Sequence, residues 1–373
     1  MALAHQQVCE MQEINNNNSS LLEINENVLR ASGIDVHLNS DTLLKKISID
    51  TNHNEKCREM SRYNMKNLTA NEVHELTGFA DIFDLLSFSI IVCGGDIETL
   101  TYKKHRLTWM EEWVLYFEYV YGRTHIRVND YSKQWGINRD IIRKIIRNKL
   151  SMIIKVRDLW PKYATIDEDE ALRKDSWNKV IKDTRARLIM HDMSNVPMDS
   201  PSATELNRAT FSEYYGGNCG KGGIFTQLCG WEGALEMYTG SIGDSDYVDK
   251  SGILKEQDKF ANTDPEKDGT VIPFTNVFDK GYRVTLACYE HGKQLCWQPV
   301  FRKSDERYGR YATFLTAVVA HLRSVNERSV KHMKHSWFIA RGTVGQPQFR
   351  LDFVADIWLG WGFQINFMYD PVH

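Results

Sequence analysis

Three carboxylates have the residue types and surroundings for phosphoryl-transfer chemistry. Asp192 follows the apolar run Leu188-Ile189-Met190 through His191, and Asp279 follows the segment Val271–Phe278. A strand-length apolar run that ends in Asp reads in two ways. The Asp either satisfies local amides in a turn, or it is a ligand held at the edge of a rigid sheet. Glu327 lies on a helical pattern from about Asp305 to Lys334 and is the only acid between Glu306 and Asp352. It stands off the apolar stripe Phe314, Leu315, Val318, Val319, Leu322 and Val325, on the face of Ala320, Ser324, Lys331 and Lys334. Its plainer role is an i,i+4 ion pair with Lys331. Together, two strand-end aspartates and a helix glutamate form an oxygen donor set suited to Mg²⁺. Two such ions about 4 Å apart can activate a water or a 3′-hydroxyl and stabilise the leaving oxygen.

Other groups compete for attention. His191 could pass protons, although a lone His beside a strand end is also a common structural residue. Asp244 and Asp246 follow a strand, but the triad is complete without them. Gly216-Gly-Asn-Cys-Gly-Lys-Gly222 is not a phosphate loop, because three residues rather than four precede Gly-Lys and no Ser/Thr follows. Lys221 within it is a candidate phosphate contact or a structural cation. His332 and His335 share a helical face, but no thiolate or third ligand is close in sequence.

The elements that must position these groups follow from periodicity. Strand-length segments Gly223–Cys229 and Ala234–Tyr238, joined through Gly230-Trp-Glu-Gly233, predict a hairpin. A helical pattern at Asp246–Lys255, the strands Val271–Phe278 and Leu295–Val300, and the long helix complete an α/β domain with a mixed sheet. This domain is expected over 161–373, opening with a charged helix from Asp167 to about Val180. Ile357-Trp-Leu-Gly-Trp361 reads as the packing face of a C-terminal helix. Residues 1–60 are rich in Asn, Ser and Glu and read as a poorly ordered leader, with one weak helix near Leu21–Leu29. Residues 61–160 are helical. Thr108-Trp-Met-Glu111 is a capping box that starts an aromatic helix through Tyr121, stopped by Gly122. Val128–Lys149 has the form helix, turn at Gly136, helix, with Asn138 placed to cap the second. There Ile141, Ile142, Ile145 and Ile146 form a buried stripe, and Arg139, Arg143 and Arg147 line the other surface. This is the form of a helix-turn-helix whose second helix enters a major groove.

Charge supports that expectation locally rather than globally. The 373 residues carry a formal net charge of −3. Residues 121–160, however, hold ten basic against three acidic side chains, as do residues 301–350. Two separated basic segments suit a chain that grips a phosphate backbone at two places; they also suit ordinary solvated helix faces. Seven cysteines without a C-x-x-C pair suggest free thiols in a reducing compartment. No apolar stretch is long enough to cross a bilayer, so no membrane partner is expected.

Several blocks, in order and at fitting spacing, resemble the DDE transposases of the PIF/Harbinger and IS5-like group. They are Leu188–Ser202, Ala209–Tyr215, Asn218–Lys221, Tyr238–Asp244, Ser251–Leu254, Phe278–Tyr282 and Val325–Arg328. The helical residues from about 61, with Leu159-Trp-Pro161, resemble that family's N-terminal region. The family pattern has Asp-Gly/Cys-Thr and Asp-Arg-Gly-Phe where this chain has Asp192-Met-Ser194 and Asp279-Lys-Gly-Tyr282, changes that spare both carboxylates. The resemblance implies an RNase H-like α/β fold, with a mixed five-stranded sheet and flanking helices, behind a helical helix-turn-helix domain. It also implies a catalytic, metal-binding triad of Asp192, Asp279 and Glu327 holding two Mg²⁺, with Mn²⁺ as substitute. Double-stranded DNA is the expected partner, with Arg139, Arg143, Lys144, Arg147, Lys221, Arg328 and Lys331 as candidate contacts. A Myb-like DNA-binding partner and a homo-oligomer assembled on DNA are further expectations, in the nucleus of a eukaryote or otherwise the cytoplasm. The alternatives are a catalytically silent, domesticated DNA-binding regulator, and a nuclease that acts on RNA.

Overall fold

The computed structural model describes residues 68–93, 107–122, 128–173, 185–300, 309–341 and 351–369. The expected leader and its helix near Leu21–Leu29 lie outside the described residues, as does the start of the long helix before residue 309. The described chain divides into two units: 68–73, 81–93, 107–116 and 128–161 form one, and 74–80, 117–122 and the residues from 162 onward form the other. The main division falls where Trp160-Pro161 ends a helix, because proline cannot continue the backbone ladder. No described helix is long and apolar enough to cross a membrane.

The helices of the N-terminal half are α1 (Ala70–Thr77), α2 (Ile82–Val92), α3 (Trp109–Val120), α4 (Val128–Trp135) and α5 (Arg139–Leu159). The Thr108 amide donates to Glu111 Oε2 at 2.7 Å while the Glu111 amide donates back to Thr108 Oγ1 at 3.3 Å, so the expected capping box starts α3. The α4–α5 turn also follows expectation. Gly136 takes φ +62°, and Asn138 Oδ1 accepts from the Asp140 amide at 2.8 Å. Ile142, Ile145 and Ile146 are buried, Ile141 only partly. The second helix runs ten residues past Lys149, to Leu159. Lys149 departs from its place in the basic run. It is fully buried, with Nζ 2.5 Å from Glu112 Oε2 and 4.8 Å from the Trp113 ring centre.

In the α/β unit, α6 (Ile166–Leu172) leads to β1 (Arg187–Pro197), α7 (Thr204–Thr210), β2 (Phe211–Ser212), β3 (Gly217–Gln227) and β4 (Glu232–Thr239). Then come α8 (Asp244–Ser251), α9 (Ile253–Thr263), β5 (Phe274–Val277), α10 (Thr285–Glu290), β6 (Leu295–Trp297), α11 (Arg310–His335), α12 (Trp337–Arg341) and α13 (Leu351–Met368). The mixed sheet runs β4-β3-β1-β5-β6, with short β2 beside the start of β3. β3 is antiparallel to β1 and β4, whereas β1, β5 and β6 are mutually parallel. The expected β3–β4 hairpin is present.

β1 has two buried faces, each with its own core. Ile189 packs with Phe225, Phe274 and Phe278, and helices α8 and α9 cover this side. Leu188 and Met190 pack with Val277 and with Val319, Leu322 and Val325 of α11. The long helix is therefore held over the central strands by the C-terminal part of its apolar stripe. Phe314, at the start of that stripe, is 55% exposed.

Two expectations about strands need correction. β1 does not stop at Asp192 but continues to Pro197, because β3 pairs with it as far as Pro197↔Cys219. Only its parallel pairing with β5 stops, at Met190↔Val277. Similarly, the strand expected from Gly223 begins earlier, at Gly217. A Cβ on Gly222 would lie 2.3 Å from the buried Trp358 ring of α13, so glycine admits that ring against the strand. The acidic loop before β5 is tied to the start of β1, with Asp264 2.7 Å from Arg187 and Glu266 2.6 Å from Arg185.

Candidate active site

Strand register brings the two aspartates together. The last parallel pairs are Ile189↔Asn276 and Met190↔Val277. Two residues further on, Asp192 is still within β1, whereas Asp279 lies in the turn just past the end of β5. Alternation places Asp192 on the face of Leu188 and Met190, beneath α11, and Asp279 meets Arg323 of the same helix at 3.2 Å. Asp192 is therefore a mid-strand residue, opposite Ile224 of β3, at the point where β1 parts from β5. Asp279 opens a turn fixed from two sides. The Phe278 amide donates to Trp297 O at 3.0 Å, and Gln298 Nε2 donates to the carbonyls of Asp279 at 3.0 Å and Tyr282 at 2.7 Å.

Glu327 comes from the overlying helix. Thr226, opposite Met190 on β3, donates to Asn326 Oδ1 at 2.8 Å and lies 2.7 Å from Ser329 Oγ. These buried polar contacts fix the turn of α11 that carries Glu327, whose side chain is 65% exposed. The next turn is anchored by His332 Nδ1, 2.9 Å from the buried Glu232. His332 thus has a carboxylate partner from β4 that sequence spacing did not reveal. His335 Nδ1 is 3.1 Å from Tyr369.

Arg323 sits among the three carboxylates and was not singled out in the sequence. Its guanidinium is 3.2 Å from Asp279 Oδ2 and 4.0 Å from Glu327 Oε1. The i,i+4 ion pair of Glu327 therefore runs backward to Arg323 rather than forward to Lys331. Burial holds the Asp192 carboxyl above the usual range, and Asp279 and Asp244 push it the same way. The Met193 amide, donating to Oδ1 at 2.7 Å, and the Arg323 charge act against that rise. Burial also raises the Tyr282 phenol, with Asp244, Asp192 and Asp279 adding to the shift. The electrostatic cluster thus includes Asp244, Tyr282 and Arg323 besides the triad.

The remaining candidates separate clearly. His191 is buried on the opposite face of β1, stacked on Phe278, with Nε2 2.7 Å from Asn276 Oδ1. Desolvation lowers its pKa to about 4, so it is a neutral core residue there. Lys221 donates to Ile242 O at 2.7 Å and to Asp244 Oδ1 at 2.9 Å, holding the start of α8 against β3. Arg328 and Lys331 are exposed on α11. In the helical unit Arg139, Lys144 and Arg147 are exposed, and Arg143 lies 3.1 Å from Asp140.

The donor set consists of carboxylate oxygens, the ligand chemistry a hard divalent cation requires, with the Arg323 guanidinium against two of them. Among the described residues, no three His, Cys, Asp or Glu side chains already stand close enough together to hold an ion. Two of the carboxylates, Asp279 and Glu327, instead pair with the Arg323 guanidinium. Comparison with protein-family models, curated proteins and solved structures finds no match.

Proposed function

We propose that this protein is a metal-dependent DNA transposase or endonuclease of the DDE class, which cuts and joins DNA strands at element ends. The observation that carries the proposal is the approach of Asp192, on β1 where its pairing with β5 ends, and Asp279, in the turn just past β5, under the helix that bears Glu327. A mixed sheet of five main strands with helices on its faces supports the RNase H-like fold that this chemistry uses. Resemblance of the sequence blocks to the PIF/Harbinger and IS5-like group supports the same conclusion.

Two Mg²⁺ ions, or Mn²⁺ in their place, would supply Lewis-acid chemistry at the scissile phosphate when held by Asp192, Asp279 and Glu327. The protein's own part is geometric and electrostatic. β1 fixes Asp192 on the face beneath α11, the turn after β5 brings Asp279 beside it, and α11 brings a more exposed carboxylate to the solvent side, where a DNA strand can approach. Partial burial of Asp192 lowers the local dielectric and strengthens its pull on a cation. The α4–α5 pair presents Arg139, Arg143, Lys144 and Arg147 to duplex DNA, and Arg328 and Lys331 extend a basic surface beside Glu327. Assembly as a homo-oligomer on DNA, with a Myb-like partner, belongs to the same proposal.

The test is Mg²⁺-dependent nicking of element-end DNA by the wild type and by Asp192→Ala. Nicking by the wild type alone supports the assignment. Equal cutting by both sinks it. No cutting by either, with DNA binding retained, favours a silent DNA-binding regulator. Faster cutting of the matching RNA identifies a ribonuclease instead.

A further inference from the structure

We propose that Arg323 is a built-in counter-cation that a divalent ion must displace, which makes the site self-inhibited towards metal. This inference rests on the metal-dependent function proposed above and concerns the regulation of that same site. The guanidinium approaches Asp279 Oδ2 at 3.2 Å and Glu327 Oε1 at 4.0 Å, and its charge also reaches Asp192. It therefore contacts two of the three carboxylates that would hold an ion, Asp279 and Glu327. Its side chain is 25% exposed against 44% for Asp279 and 65% for Glu327, so the Asp279 pair is the better shielded of the two.

Mg²⁺ needs carboxylate oxygens at about 2.0–2.1 Å. An ion that close to Asp279 Oδ2 would carry two positive charges into the position the guanidinium already neutralises. Like charges at that separation repel, so the arginine has to turn away as the ion enters. The helix permits this. Arg323 lies beside the buried stripe of Val319, Leu322 and Val325 rather than within it, and α11 is anchored independently through Asn326 and Ser329. The arginine thus stabilises the three carboxylates without metal and opposes ion entry at low concentration.

The experiment measures Mn²⁺ binding to the full chain by the electron paramagnetic resonance signal of free Mn²⁺, together with the melting temperature with and without Mn²⁺. Wild type, Arg323→Gln, Arg323→Lys and Asp279→Asn are compared. Arg323→Gln removes the charge while keeping a polar side chain. It should bind Mn²⁺ about tenfold more tightly than wild type, within the range of ordinary coupling between two ligands of one site. It should also melt lower without metal and gain more on adding it. Arg323→Lys keeps the charge and should stay near wild type, and Asp279→Asn should bind more weakly. Equal or weaker binding by Arg323→Gln, with wild-type binding intact, overturns this inference and leaves the proposed function standing. Absence of Mn²⁺ binding by both folded proteins overturns both. If Arg323→Gln fails to fold, Arg323→Met, which keeps the stem and removes the charge, takes its place: tighter Mn²⁺ binding than wild type supports the displacement, and equal or weaker binding refutes it.

Discussion

The buried pair of Lys149 and Glu112 makes the sharpest prediction about stability, because it separates structural charge from charge available to DNA. Lys149 falls within the basic run of residues 121–160, yet it and Glu112 are 0% and 1% exposed, 2.5 Å apart. Replacing Lys149 by Met fills the same volume but leaves the Glu112 carboxylate buried without its counter-charge. Breaking a buried ion pair from one side costs about 3–5 kcal/mol. The ammonium also stands 4.8 Å from the Trp113 ring centre, a contact worth up to about 2 kcal/mol that overlaps with the first term rather than adding to it. Lys149→Met combined with Glu112→Leu removes both charges and should recover most of the loss, since well-packed apolar replacements of buried pairs are often neutral or stabilising. Equilibrium urea unfolding followed by far-ultraviolet circular dichroism on the four corners of this double-mutant cycle gives both quantities. A Lys149→Met loss below about 1 kcal/mol, or a double variant no better than the single, would refute the reasoning. In folded protein the salt dependence of duplex DNA binding should be unchanged by Lys149→Met.

Three further outcomes follow from the same geometry. Arg147→Ala, on the exposed side of α5, should lower the slope of log affinity for DNA against log salt by about one, as loss of one phosphate contact does; an unchanged slope removes Arg147 from the interface. His191 has a folded pKa of about 4 against an ordinary 6.5, so folding favours its neutral ring. Its contribution is fully present above pH 6.5 and is lost as pH falls towards 4, amounting to about 3 kcal/mol. His191→Gln should flatten that part of the stability profile, and parallel wild-type and variant profiles would contradict it. Gly222→Ala forces a Cβ to within 2.3 Å of Trp358. It should cost at least about 1–3 kcal/mol by denaturant unfolding, and a near-neutral result would disprove the close approach.

What the sequence made legible is what local chemistry determines. Thr108 with Glu111, and Asn138 with Gly136, define helix starts and a turn from four or five neighbouring residues, and they stand as expected. The carboxylates Asp192, Asp279 and Glu327 could be found because each follows or adjoins an apolar pattern. Long-range packing was not legible. The extension of β1 through the polar residues Met193–Pro197 depends on its pairing with β3, and apolar content does not report it. The strand character of Gly217–Gly222 depends on pairing with β1, β2 and β4, and its glycine at 222 on Trp358, far along the chain. Lys149 looked like part of a basic surface because nothing nearby in sequence signals Glu112 and Trp113 around it. Arg323 has meaning only once the register of β1 and β5 brings Asp279 under α11.

The pairing of β1 with β5 also imposes a rule of parity on the gene. One residue inserted between Leu188 and Asp192 would exchange the faces of the strand, sending the aspartate towards the His191 side and the histidine under α11. Two inserted residues would restore the face but move the carboxylate along the sheet by about 7 Å, out of step with Asp279. Connectors such as residues 267–270 carry no parity and can vary in length without turning Asp279 over. In a scan of insertions and deletions, the strands would tolerate no change in count while the connectors drift freely. The candidate site is thus encoded by the distance between residues as firmly as by their identity.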